Sequence, residues 1–262
     1  MDKGESLSVR RAVGILRLFR EPGRTLSLGD VVQHSGLSKT ACHRFLSTWV
    51  VEGFLSQDKA TGRYAVGPQL ISFARSHLGV SSLRDTCREW LEKLAKETGD
   101  VALLYVVDAD TALCLERFDG NYPVRVAGVE VGGRLPLHCG GGPLALLGFS
   151  QNELVERVLS KPLPRRTAHT LVTRQALRRC ISETRARGYA IGNQDAFEYV
   201  VAVGAPIFNP AGLVGSISVG GIEPRYRASR IAEIGRLVRG AADRITERFG
   251  GHSLVELSST AS

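Results

Sequence analysis

Residues Leu26–Val66 read LSLGDVVQHSGLSKTACHRFLSTWVVEGFLSQDKATGRYAV. Ser27 suits the N-cap of a helix over Leu28–His34, Gly36 suits the turn, and Ser38 caps the next helix. That helix spans residues 39–52 and separates into two faces. Ala41, Phe45, Leu46, Trp49 and Val50 form an apolar side, and Lys39, Thr40, His43, Arg44 and Ser47 lie opposite. Phe54-Leu55-Ser56 and Tyr64-Ala65-Val66 then read as paired strands around a tip at Asp58–Arg63, where Gly62 supplies positive φ. Helix, turn, helix and hairpin within about forty residues describe a winged helix-turn-helix, which places one helix in the DNA major groove.

Upstream, Leu7–Arg20 has helical spacing, with Val9, Ala12, Val13, Leu16 and Phe19 inward and Arg10, Arg11, Arg17 and Arg20 outward. Pro22-Gly23 ends it. Charge points the same way. The chain of 262 residues carries a formal net charge of +8. Residues 1–80 hold 11 Lys and Arg against 6 Asp and Glu, whereas the remainder holds 23 against 20. A basic module on a nearly neutral body suits a polyanionic partner, although the same excess would also serve a plain solvated surface.

Other classes are disfavoured. No apolar run approaches the roughly 18–20 residues that span a bilayer, and the opening MDKGESLSVRRAV has no apolar signal core. The five cysteines are scattered, odd in number and without a CxxC pair, which argues against a disulfide framework or zinc site and for a reducing cytoplasm.

Beyond the hairpin, residues 68–80 read as a connecting helix, interrupted by Ser81-Ser82. Leu83–Thr98 is an amphipathic helix with Leu83, Cys87, Trp90, Leu91 and Leu94 inward. Strands are expected at 101–107, 111–118 and 123–127, and residues 132–138 lead into Gly140-Gly141-Gly142-Pro143. Helices follow at 144–149, 151–159 and 173–187, strands at 189–192, 200–207 and 213–219, and a last helix at 227–248. The fold class is therefore α+β: an N-terminal winged helix-turn-helix (1–67), a linker helix (68–82), a sensor-like domain with a mainly antiparallel sheet (83–250) and a frayed, disordered tail (251–262).

At this point the chain resembles the IclR-type bacterial transcriptional regulators over nearly its full length. SVRRAVGILRLF is similar to that family's first helix, and GLSKTACHRFLSTWVVEGFL to its recognition helix and the turn into the wing. GRYAVGPQLISFA, VGGRLPLHCGGGPLALLG, TLVT and RARGYAIGNQDAFEYVVAVGAPIFNPAGLVGSISVGG follow in family order. The resemblance implies a DNA-binding winged helix, a GAF-like domain that binds a small organic acid or aromatic metabolite, dimers or tetramers, and a link between ligand and operator affinity. It implies no cofactor.

Residues can be named for each role. Ser38, Lys39, Thr40, His43 and Arg44 are the recognition-face candidates. Arg44 suits a bidentate guanine contact or a phosphate, and Thr40 and His43 suit either. Arg10, Arg11, Lys59 and Arg63 suit phosphate or the minor groove. The resemblance places a ligand pocket at Leu137–Pro143, Gly192–Asp195 with Ala202, and Ser216–Gly220. Its candidates are Leu137, Cys139, Gly140, Gly141, Gly142, Asp195, Ala202, Ser218 and Gly220. Consecutive small residues ahead of a helix offer backbone N–H groups to an anion, and they also suit a tight turn. Many relatives carry Thr-Ala-x-Gly-Lys where this chain has Gly140-Gly141-Gly142-Pro143-Leu144. Paired acids become Gln194-Asp195, a glycine becomes Tyr199, and a serine becomes Gly220. These departures make the pocket less polar and favour a larger or more apolar ligand.

An enzymatic reading has little support. His138 and Cys139 are neighbours whose side chains diverge on a strand, and His34, His138 and His169 have no metal-ligand spacing. The competing readings are a DNA-binding repressor with a vestigial pocket and, less favoured, an enzyme domain fused to a DNA-binding module.

Overall fold

The computed structural model describes residues 6–20, 23–70, 79–124 and 128–251. The chain divides into two compact units, residues 1–82 and 83–262.

In the first unit, α1 (Leu7–Arg17), α2 (Leu28–Ser35) and α3 (Lys39–Val51) precede a hairpin of β1 (Leu55–Gln57) and β2 (Tyr64–Val66). Each helix starts on a serine. Ser27 and Asp30 form a reciprocal capping box at α2, Gly36 closes that helix in the left-handed region, and Ser38 Oγ accepts from Ala41 N at 3.3 Å. Leu26 bridges Tyr64 and adds a third short edge to the hairpin. Ile15, Phe19, Val31, Cys42, Leu46, Leu55 and Tyr64 form the core. Truncating Leu46 there removes contacts on all sides, at a cost of about 2–5 kcal/mol.

The expected inner face of α1 needs correction. Ile15 and Phe19 are buried, whereas Val9 and Val13 are 61% and 38% exposed. The helix also ends at Arg17, because Leu18 and Phe19 bond back to Ile15 and Leu16 in tighter turns. Periodicity alone gave two adjacent apolar stripes and could not say which one the later elements would cover. Pro22, part of the expected break, lies outside the described residues.

The second unit is built on a six-stranded, wholly antiparallel sheet in the order β5-β4-β3-β8-β7-β6. Its strands are β3 (Val101–Asp108), β4 (Thr111–Phe118), β5 (Arg134–Pro136), β6 (Ala190–Asn193), β7 (Val200–Asn209) and β8 (Gly212–Ile222). Alternation sorts the side chains. Ala102, Leu104, Val203, Ala205, Ile217 and Val219 pack on α4 (Gly79–Thr98) and α8 (Ala228–Arg248). Val101, Leu103 and Tyr105 point the other way, toward α5 (Gly141–Phe149), α6 (Asn152–Leu159) and α7 (Arg174–Arg187). Gly141 through Gly148 of α5 are all buried, so this helix is apolar all round and runs through the core.

Three sequence expectations shift. Ser81-Ser82 does not interrupt the helix, since α4 runs unbroken from Gly79 to Thr98. Residues 123–124 are bends rather than strand, and 125–127 lie outside the described residues, as do 71–78 of the expected linker helix and 252–262 of the tail. Within residues 132–138, for which no element was expected, Arg134–Pro136 form a short strand. Helix α5 begins at Gly141, three residues early, because close packing on the sheet admits only glycine there.

Candidate functional site

Two sites emerge, one in each unit. In the first, Cys42 and Leu46 anchor α3 to the core, while Ser38, Lys39, Thr40, His43 and Arg44 are all exposed. A helix with its polar groups outward and its other side fixed presents those groups on a rigid surface. The Arg44 guanidinium lies 5.9 Å from the centre of the Phe45 ring, a contact that keeps the charged head beside the helix. Thr48 Oγ1 donates to Arg44 O at 2.9 Å on the same face.

The hairpin tip is held by Asp58, whose carboxylate accepts from Ala60 N at 2.8 Å and Thr61 Oγ1 at 2.9 Å. Those bonds lower its pKa. Lys59 stands exposed at this tip. Arg63 is exposed as well, and its guanidinium donates to Thr25 Oγ1 at 2.9 Å and Thr25 O at 2.8 Å and lies 3.5 Å from Asp30. It ties the hairpin to the start of α2. Arg10 and Arg11 are exposed on α1.

The second site is a small cavity of about 40 Å³, open at its mouth, between the sheet and the start of α5. Strand register sets its floor. Leu103 pairs with Arg117 on one side and Ser218 on the other; one row along, Gly220 pairs with Val101 and with Ala202, which meets Gly192. The small residues Gly192, Ala202, Ser218 and Gly220 hollow the floor, and Tyr105, Val129, Leu135 and Phe197 supply apolar walls. Such a space, largely apolar with few polar groups, suits a small molecule.

Three glycines let α5 approach. A Cβ on Gly141 would lie 2.6 Å from the Ala202 carbonyl carbon, and one on Gly142 would lie 2.4 Å from the Tyr105 ring. The helix therefore brings its first N–H groups into the cavity. Gly140 N donates to Asp195 Oδ1 at 3.0 Å, Leu144 N bonds Gly140 O, and Pro143 has no N–H. The N–H groups of Gly141 and Gly142 meet no acceptor among the described residues. Ser216 Oγ donates to Gly142 O at 2.9 Å. Ser218, only 1% exposed, lines the cavity, and its hydroxyl has no partner among the described residues.

Asp195 is 5% exposed. Burial raises its pKa to about 6, against the opposing pull of the Gly140 N–H and of the N–H groups of Asp195 and Ala196. Its loop is braced from outside. Thr167 Oγ1 donates to Gln194 O at 2.6 Å, Thr170 Oγ1 to Asp195 O at 2.7 Å, and Arg166 Nε to Ala196 O at 3.0 Å. Gln194 and Tyr199, both non-glycine, hold positive φ at the two ends.

Of the nine pocket candidates, Gly140, Gly141, Gly142, Asp195, Ala202, Ser218 and Gly220 line this cavity. Leu137 and Cys139 do not; both are buried in the apolar core, with Cys139 Sγ 3.8 Å from Pro136 O. Burial pushes the Cys139 thiol up to about 12 and draws the His138 imidazole down. His138 Nε2 lies 3.0 Å from Pro164 O, so the two side chains are engaged apart. Sequence reading missed Tyr105, Arg117 and Phe197. Period-two alternation from Val101 could have found Tyr105, but nothing local marks Arg117 or Phe197. No group of three or more His, Cys, Asp or Glu is placed to hold a metal among the described residues.

Comparison with known proteins agrees with this geometry. Residues 8–59 match the IclR helix-turn-helix domain and residues 76–247 match the family described as Bacterial transcriptional regulator IclR C-terminal. The chain is 30% identical over 251 residues to the glycerol operon regulatory protein of Streptomyces coelicolor, covering 93% of this chain and 96% of that one. It is 26% identical over 245 residues to the HTH-type transcriptional regulator XynR of Escherichia coli, covering 93% and 97%. Among solved structures, an IclR homolog from Microbacterium hydrocarbonoxydans, complexed with 4-hydroxybenzoate, superposes with a TM-score of 0.81 at 24% identity, over 92% of this chain and 98% of that one. The chain belongs to the IclR family of bacterial transcriptional regulators, with a helix-turn-helix DNA-binding domain and a C-terminal effector-binding domain.

Proposed function

We propose that the α3 face reads a palindromic operator in the major groove, that the protein acts as a homodimer or homotetramer, and that a small aromatic or organic acid in the cavity changes operator affinity. The observation that carries this reading is the segregation on α3: five polar groups exposed along one side of a helix whose other side is buried. Two-fold symmetric protein suits two half-sites. The cavity supplies a place for a ligand, and a ligand can move DNA affinity only through its different affinities for two arrangements. The Microbacterium homolog complexed with 4-hydroxybenzoate gives a precedent for an aromatic acid as the ligand.

A role in binding rather than catalysis fits the disposition of His138 and Cys139, which are buried and separately bonded, with the Cys139 thiol kept protonated by burial. Among the described residues, no helix is long and apolar enough to cross a membrane, consistent with work on DNA in the cytoplasm.

The test is operator titration at fixed salt, with DNA from upstream of the protein's own gene and its neighbours. Arg44→Ala is expected to weaken specific binding by about 1–3 kcal/mol, the range for a bidentate base contact, with the unfolding midpoint unchanged. Equal affinity of the variant and the parent for operator DNA refutes the role of this face. Metabolites that bind without altering operator affinity refute the coupling.

A further inference from the structure

The anion position at the start of α5 is already filled by the protein itself. Asp195 Oδ1 accepts the Gly140 N–H at 3.0 Å from a residue 55 positions away. Beside it, two backbone N–H groups and the buried Ser218 hydroxyl, which have no partners among the described residues, face the cavity. An isolated helix start would be open to a ligand carboxylate. Here a second carboxylate would sit against the first in a space of low polarity, where like charges strongly disfavour each other.

We propose that Asp195 is a specificity-determining residue: it directs this end of the cavity to ligands that present a hydroxyl donor, and turns away ligands that present a carboxylate. The hydroxyl donates to Asp195 and accepts from the Gly141 or Gly142 N–H, so both of its hydrogen-bonding functions are used. A carboxylate satisfies only the donors and leaves two anions in contact, unless Asp195 takes up a proton. The inference rests on the cavity being the effector site.

Other charges around Asp195 do not cancel this effect. Arg117 reaches the cavity from β4, but its guanidinium donates to Val129 O at 2.7 Å and pairs with Asp119 at 2.7 Å and Glu130 at 3.7 Å. Arg166 bonds Ala196 O and stacks 5.1 Å from the Phe197 ring centre. Cys139 and Cys180 are kept neutral by burial. His169, Arg179 and Glu183 line an open space on the far side of Asp195.

Phenol and benzoate make a probe pair of similar size that differ in this end group. Both are titrated by calorimetry or ligand-observed NMR into the full chain and into Asp195→Asn, at about pH 8. Expected for the wild type is tighter binding of phenol than of benzoate. In Asp195→Asn, benzoate is expected to tighten about tenfold and phenol to weaken severalfold. A wild-type series down to about pH 5.5 gives a second readout that needs no variant. Benzoate, still ionised as a carboxylate of ordinary pKa near 4, is expected to tighten about tenfold, while neutral phenol stays within twofold and controls for other titrating neighbours. Benzoate affinity that is indifferent to both pH and the substitution overturns the proposal and leaves the cavity reading standing. Failure of both probes to bind either protein at any pH overturns both.

Discussion

Helices α3 and α5 each begin with exposed or cavity-facing N–H groups, yet the two starts are completed in different ways. Helix α3 is capped by its own Ser38, three residues from the N–H it accepts. At α5 the N–H of the leading Gly140 is held by Asp195, 55 residues away, on a loop braced by Thr167, Thr170 and Arg166. The first start is assembled from local sequence and left open to solvent. The second exists only once β6, β7 and the 164–170 segment have come together. The polar face of α3 is thus robust to changes elsewhere in the chain, whereas the cavity inherits the accuracy of the whole second unit.

The sharpest way to break this comparison is at another distant carboxylate. Asp100, almost fully buried, collects Arg225 and Arg230 Nη2, the latter at 3.2 Å, and the Tyr226 hydroxyl at 3.1 Å. It thereby fastens the start of β3 to the segment leading into α8. Asp100→Ala takes the counter-charge from two half-buried arginines and the partner from the buried Tyr226 hydroxyl, and is expected to cost about 2–4 kcal/mol in denaturant unfolding. A loss below about 1 kcal/mol would mean that the second unit does not depend on such long-range polar contacts.

Next in size is Gly141→Ala. Its Cβ would meet the Ala202 backbone at 2.6 Å, which cannot move aside as a flexible side chain would. Overpacking of this kind costs about 1–3 kcal/mol. The same experiment separates two reasons for the glycines, since an unchanged midpoint would mean that steric closeness does not explain them. The smallest effect belongs to the local start. Ser38→Ala is expected to cost about 1 kcal/mol through the lost cap, read as a midpoint shift, with ligand titrations at the cavity unaltered. A larger loss there would show that α3 leans on more than its neighbours in sequence.

How much of this was legible follows from distance along the chain. Ser27, Gly36, Ser38 and Gly62 announced helix starts, turn and hairpin, because caps and positive-φ positions are decided within three or four residues. Strands β6, β7 and β8 were readable from alternation for the same reason. The bonds of Arg63 were not, since its partner Thr25 lies 38 residues away. The pocket candidates Leu137 and Cys139 failed to reach the cavity because their neighbours in sequence turned out to form its wall by backbone and not by side chain. Arg117 and Phe197 joined it through register and loop packing, which leave no local mark.

By itself the sequence determined that a basic winged helix-turn-helix precedes an α+β unit, and which side of α3 is polar. These depend on periodicity and on short-range capping, and both are written in consecutive residues. Only the tertiary structure decided that α5 starts at Gly141, that Gly141 and Gly142 pack against Ala202 and Tyr105, and that Asp195 accepts the Gly140 N–H at that helix start. Those outcomes depend on which backbones come within van der Waals distance after the sheet has formed, and no stretch of the chain encodes that alone.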